Sequence, residues 1–236
     1  MGDYSYSVLI IGDTSVGKSA LLCRATEDDF YPNYYSPAII DLKHYTVQLH
    51  EKKILLTIDD VAGEDRFRTI QEDFCSKAQG VILVFDTTSR SSLENLSNWV
   101  LTFSNVCPKE VNVILVGTKC DELEERQVTQ EEAANLADQF NVTYIEASAK
   151  TGSNVKNVFN VMAVELYFRN VLKRVPPPWP ESSKMAIAVA LDESLVHGGG
   201  DAEGAGEGGE GDGGNGDIPI EDENIAGLEN ETIPKE

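Results

Sequence analysis

The stretch SVLIIGDTSVGKSALLCRAT (Ser7–Thr26) sets a continuous apolar run, Ser7–Ile11, directly ahead of GDTSVGKS (Gly12–Ser19), which opens a helical pattern over Lys18–Thr26. It matches G-x-x-x-x-G-K-[ST] in the strand-loop-helix setting that this motif requires. Glycines let a backbone wrap closely round a polyphosphate, and successive amide N–H groups with a helix N-terminus supply positive potential. Gly12, Thr14, Ser15, Val16, Gly17, Lys18, Ser19 and Ala20 are therefore candidate phosphate-binding residues. The Lys18 ammonium would reach the outer phosphates, where it can also act catalytically, and the Ser19 hydroxyl would bind Mg²⁺. An ordinary strand-to-helix turn is the competing explanation, and three motifs farther along speak against it.

DVAG (Asp60–Gly63) closes a third apolar run, where an Asp can hold magnesium through water and the Gly63 N–H can meet a terminal phosphate. TKCD (Thr118–Asp121) ends the run VNVILVG. A carboxylate there accepts hydrogen bonds from N1 and N2 of guanine, groups that adenine cannot offer, and the wrong base would leave a buried charge unpaired. EASAK (Glu146–Lys150) follows TYI, and its backbone N–H groups can meet the guanine carbonyl. SAK alone is a weak signal, but after TKCD it adds Ser148, Ala149 and Lys150 to Thr118, Lys119 and Asp121 as guanine-reading candidates.

The intervening pattern fits this order. Strands are expected at Ser7–Ile11, Tyr45–Leu49, Ile54–Ile58, Val81–Asp86, Val111–Gly117 and Thr143–Ile145, several too apolar to have a wet face. Helices are expected at Lys18–Thr26, Ile70–Ser76, Ser92–Phe103, Gln130–Phe140 and Val155–Lys173. Alternation of this kind implies a parallel sheet covered on both faces. HEKK between the second and third strands is too short for a crossover, so that pair should be an antiparallel edge hairpin.

On these motifs, residues 6–174 resemble a Ras-superfamily small GTPase, most closely its Rab branch, and FDTTSRSSLENLSNW (85–99) adds to the likeness. The resemblance implies an α/β P-loop NTPase fold in three layers, with a six-stranded, mostly parallel sheet, one antiparallel edge strand and five helices. It also implies bound GTP or GDP with Mg²⁺, and switch segments that order around the γ-phosphate. Protein effectors, an exchange factor and a GTPase-activating protein are implied partners. Thr118 stands where the family more often has Asn, but the Rho branch also carries Thr, so guanine reading is retained.

Two departures bear on chemistry. In FYPNYYSPAIIDLKHY (30–45), Pro37, Ala38, Ile39 and Leu42 occupy the places of a family pattern in which threonine precedes Ile-Gly and an aromatic follows. That threonine gives Mg²⁺ a hydroxyl and the γ-phosphate an N–H, and proline has neither. Ser36 could supply a hydroxyl if the loop shifted register, although Pro37 restricts its backbone; alternatively, the loop stays loose with either nucleotide. Glu64 stands where the family's glutamine orients the attacking water. An ionised carboxylate only accepts hydrogen bonds and repels a charged γ-phosphate, yet it can still hold the water or act as a base. Glu64 is thus a candidate catalytic residue, with solvent exposure and no role as the alternative.

Composition sets the outer limits. The formal net charge is −21, with 40 acidic and 19 basic residues, and residues 192–236 alone hold 14 acidic residues and one lysine. Such a balance argues against nucleic acid and anionic lipid as partners, since both need basic residues to displace counterions. VPPPWPES begins a proline-rich linker, assigned to 175–184, after a GTPase-type domain at 1–174. Residues 185–236 form an acidic, Gly-rich tail in which disorder is expected. Within it MAIAVAL (185–191) is an apolar patch that either rests on its own domain or docks a partner.

No run approaches the roughly 20 apolar residues of a spanning helix. The chain as written carries no cysteine after Cys120, so no prenyl anchor is expected, and Gly2 is a near miss for myristoylation because Tyr6 takes the required Ser/Thr place. A cytoplasmic protein, reaching endomembranes only through partners, is the resulting expectation. Cys23, Cys75, Cys107 and Cys120 lie singly in or beside apolar runs and are expected to be reduced and mostly buried, without a disulfide or zinc site.

Overall fold

The computed structural model of the chain describes residues 2–31, 40–63 and 67–172. Its strands are β1 (Tyr4–Ile11), β2 (Ile40–Leu49), β3 (Lys52–Val61), β4 (Gly80–Asp86), β5 (Asn112–Thr118) and β6 (Thr143–Glu146). They form one sheet in the order β2-β3-β1-β4-β5-β6. β2 runs antiparallel to β3, and every other pairing is parallel. The helices are α1 (Lys18–Glu27), α2 (Arg68–Cys75), α3 (Arg90–Glu94), α4 (Leu96–Phe103), α5 (Gln130–Phe140) and α6 (Val155–Leu172). The expected α/β architecture, with its antiparallel edge strand, is present.

Period-2 alternation assigns the two faces. Leu9 and Ile11 pack with Trp99, Phe103 and Leu136 in one layer, while Val8 and Ile10 pack with Leu21, Phe159 and Met162 in the other. The central strands are covered on both sides, and all seven residues of β4 and of β5 are buried. Because α1 leaves β1 toward one layer and α4 follows β4 in the other, a crevice opens beyond the C-terminal ends of β1 and β4.

Local signals stop and start the elements. α5 begins with a capping box, in which Thr129 and Glu132 satisfy each other's backbone N–H groups, and ends at Asn141 with φ 53°. The hairpin turns through His50 and Glu51, with His50 at φ 49°. α1 is bounded by Gly17 at φ 97° and Asp28 at φ 57°.

Three expectations are revised. β1, β2 and β3 extend beyond their apolar cores, because backbone pairing continues where one face is wet. β2 has only Val47 buried among its ten residues, so most of it gives no apolar signal. The single helix expected over Ser92–Phe103 is divided at Asn95, although Asn95 itself keeps helical φ −66° and ψ −13°, so α3 and α4 form one interrupted rod and the count of five helices holds. The expected four free thiols are also corrected: Cys75 and Cys107 are joined as a disulfide, with Cα atoms 4.9 Å apart. That pairing joins the end of α2 to the loop after α4, and 32 residues of sequence separation conceal it. Cys23 and Cys120 are free.

The expected linker and tail, 175–236, lie outside the described residues. Among the described residues no helix is long and apolar enough to cross a membrane.

Thiol titration checks the correction. The unfolded, unreduced protein is expected to react at Cys23 and Cys120 alone, with Cys75 and Cys107 becoming reactive only after reduction.

Candidate functional site

The loop between β1 and α1 has the backbone that a phosphate cradle needs. Gly12, Ser15 and Gly17 have φ values of 145°, 66° and 97°. At Gly12 a Cβ would lie 2.1 Å from the Val84 carbonyl oxygen, so only glycine fits beneath the loop. Thr14 and Ser15 are exposed at the rim, and Val16 is buried beneath it.

Lys18 lies inside the loop, with Nζ donating to the carbonyls of Gly12 at 2.8 Å and Asp13 at 2.6 Å. Lys18 is 5% exposed, and burial pushes its pKa down to about 8 against the opposing pull of Asp60 and Asp13. Gly63 packs against the same group, since a Cβ there would stand 2.6 Å from Lys18 Nζ and 2.7 Å from the Gly12 carbonyl oxygen. A side chain at 63 would therefore displace the lysine.

Asp60 closes the floor. It is 1% exposed, and burial raises its carboxyl pKa while a hydrogen bond with Ser19 and the Lys18 charge oppose the rise. Its Oδ1 has no hydrogen-bond partner among the described residues. A buried, unpartnered carboxylate oxygen beside a serine hydroxyl is a hard-oxygen donor set that fits Mg²⁺, which takes one or two protein ligands and completes its shell with phosphate and water. The preceding Asp59 is also buried, its Oδ1 without a partner among the described residues, and burial raises its pKa against a hydrogen bond from Ser7.

Beside the phosphate loop lies a slot of about 100 Å³ lined by Gly17, Ala20, Phe30, Thr118, Lys119, Asp121, Glu122, Ala149 and Lys150. Ala20 thus belongs to this slot as well as to the helix that follows the loop. Asp121 is nearly covered and lies 3.5 Å from the Lys150 ammonium, which also reaches Glu122 at 2.8 Å. Lys119, at φ 57°, pairs with buried Asp86. Asp86 in turn accepts from the Thr88 N–H at 2.8 Å and hydroxyl at 2.7 Å.

Two of the guanine candidates act beneath the slot. Thr118 is 4% exposed, and its hydroxyl contacts the carbonyl oxygens of Val16 and, at 3.0 Å, Phe85. It therefore ties the phosphate loop to β4 and β5. Ser148 is fully buried, with Oγ accepting from the Thr151 N–H at 3.0 Å, and shapes the last loop. Glu146 anchors that loop through paired bonds from Arg126 at 2.9 and 2.8 Å and one from the Tyr144 hydroxyl at 2.8 Å. Burial works to raise the Glu146 pKa, but these donors hold it below the usual carboxylate range.

Glu64, Ser36, Pro37, Ala38 and Ile39 lie outside the described residues. Leu42 is described, and is exposed on β2. Sequence reasoning missed Phe30 and Glu122 in the slot, and Asp86 as the partner of Lys119. Phe30, an aromatic closing the acidic turn after α1, carried the one available signal.

The phosphate loop, the acid at the end of β3 and the base slot together define a nucleotide-binding α/β protein of the P-loop class. The Ras family model matches residues 7–168. The chain is 42% identical over 164 residues to the GTP-binding protein ypt2 of Schizosaccharomyces pombe, covering 70% of this chain and 82% of that one. It is 38% identical to the Ras-related protein SEC4 of Candida albicans, covering 81% and 91%, and 36% identical to the Ras-related protein Rab-8A of Gallus gallus, covering 81% and 92%. The chain belongs to the Ras family, and is a Rab-like small GTPase.

Two outcomes follow from the geometry. Thr118→Val keeps the shape but removes the one hydroxyl proton that the Val16 and Phe85 carbonyls share, and is expected to lower stability by about 1–2 kcal/mol in urea unfolding while speeding nucleotide release. Phosphate favours charged Lys18, so the lysine pKa is higher in the bound protein than its free value of about 8. Binding therefore takes up a proton above that value: GDP affinity is expected to hold below pH about 8 and to fall as pH rises further, with proton uptake visible by calorimetry in buffers of differing ionisation enthalpy.

Proposed function

We propose that the chain is a guanine-nucleotide switch that binds GTP and GDP with Mg²⁺ and hydrolyses GTP slowly, serving a step of intracellular vesicle trafficking as its Rab kinship suggests. The observation that carries this reading is the contiguity of a glycine-shaped phosphate loop with a base slot that ends in a nearly covered carboxylate, Asp121, the two held together by Thr118.

In this reading the N–H groups from Thr14 to Ala20 cradle the phosphates, and Lys18 shifts its ammonium from the Gly12 and Asp13 carbonyls to the outer phosphoryl oxygens. Ser19 would hold Mg²⁺ directly and Asp60 through water, and the ion would supply neutralisation of phosphate charge. The Gly63 N–H meets the terminal phosphate. Asp121 accepts from the guanine N1 and N2 groups, Ala149 and Lys150 offer backbone donors to its carbonyl, and Lys119 and Phe30 border the ring. Thr118 and Ser148 position these groups from below.

Slow turnover rests on two residues. Glu64 can accept a hydrogen bond from the attacking water but cannot donate toward the phosphoryl oxygens, and it adds like charge. Pro37 supplies neither the hydroxyl nor the N–H of the family's threonine. The same residues favour a second reading, a GTP-holding interaction module with little hydrolysis or switching. Residues 1–174 would form the nucleotide domain, 175–184 a proline-rich spacer and 185–236 an acidic tail. The acidic balance directs the chain to protein effectors and regulators rather than to nucleic acid, and to endomembranes by way of those partners from the cytoplasm.

Single-turnover hydrolysis of preloaded GTP, with and without Glu64→Gln, tests the switch. Slow hydrolysis in the unaltered chain that quickens in the variant supports the first reading. Intact GTP in both proteins supports the module.

A further inference from the structure

The phosphate loop of this chain carries its own negative charge, at Asp13. A carboxylate at the second position of a polyphosphate cradle adds repulsion where the bound ligand is most anionic. The structure turns it away. Trp99 Nε1 donates to Asp13 Oδ1 at 2.7 Å, and Asn95 Nδ2 donates to Asp13 Oδ2 at 2.8 Å. Each carboxylate oxygen thus has its own donor, from residues more than 80 positions away in sequence. Meanwhile the carbonyl of Asp13 accepts from Lys18 Nζ at 2.6 Å, so this residue is fixed at both backbone and side chain.

The donors suit the task. An indole N–H only donates, and at 7% exposure Trp99 has its ring held, stacked on Phe103 with centroids 5.7 Å apart and planes 7° from parallel. Asn95 stands at the interruption between α3 and α4, which accounts for a polar residue in the middle of that rod. The two side chains and Asp13 line a groove bordered by Gly63 and the first residue of α2, Arg68.

We infer that Asn95 and Trp99 are positioning residues for nucleotide binding: they draw the Asp13 carboxylate out of the phosphate field and fix the first limb of the loop against α4. This rests on the guanine-nucleotide reading above. Both act through Asp13, the residue to which their side chains donate.

The test is the dissociation rate of a fluorescent GDP analogue at fixed Mg²⁺ from the unaltered chain, Trp99→Phe, Asp13→Asn and the double variant, with a thermal melt of each. Trp99→Phe keeps the stack on Phe103 and removes one charge-assisted hydrogen bond, so release is expected to quicken about tenfold. Asp13→Asn removes the charge, and in the double variant it is expected to restore most of the lost retention. A merely structural tryptophan would show no such rescue. Unchanged release in Trp99→Phe, or quickened release that Asp13→Asn does not repair, overturns the inference. If Trp99→Phe does not fold, Asn95→Ala replaces it in the same cycle and is read in the same way. Failure of the unaltered chain to hold the analogue at all would instead overturn the guanine-nucleotide reading.

Discussion

The Thr118 hydroxyl lies between the carbonyl oxygens of Val16 in the phosphate loop and Phe85 in β4, and it stands at the end of β5. Through it three segments that are distant in sequence share one anchor, and the spacing between the phosphate cradle and the base slot becomes fixed. It can do so because β4 and β5 are buried on both faces and paired in register from Gly80 and Asn112 to Asp86 and Thr118. A strand with one wet face would give the hydroxyl a competing partner. The apolar layers therefore serve the site by bringing loop-bearing strand ends level at one edge of the sheet.

Around that anchor the site is built from buried charges whose partners are local. Lys18, Asp60 and Asp86 are all nearly covered. Lys18 is held by loop carbonyls, Asp86 by Lys119 and Thr88, and Asp60 keeps an oxygen without a partner among the described residues. An oxygen left in this way costs stability unless a ligand meets it. A lysine with a lowered pKa and a carboxyl with a raised one form a site whose charged states would become favourable together with phosphate and a divalent cation, as proposed above.

Much of this was legible in the sequence because the chemistry is local there. GDTSVGKS, TKCD and EASAK each lie at the end of an apolar run, and the structure brings them to one end of the sheet. What stayed hidden is non-local. The Asp13 bonds to Asn95 and Trp99, the Cys75–Cys107 bridge and the seat of Thr118 under Val16 join residues from 32 to more than 100 positions apart, and no periodicity encodes them. The interrupted rod at Asn95 was hidden for another reason, since its backbone remains helical. β2 was under-read because its sheet pairing is carried by the backbone while its side chains are largely wet.

The proposed guanine reading assigns base selection to Asp121 and the loop tied down by Thr118, and phosphate binding to the glycine-shaped loop. Equilibrium binding of GDP and ADP to the nucleotide-stripped chain, each with and without Mg²⁺, tests it most directly. GDP is expected to bind tighter than ADP by about three orders of magnitude or more, and Mg²⁺ to strengthen GDP binding. Comparable affinities for the two nucleotides, or GDP binding indifferent to Mg²⁺, would contradict it.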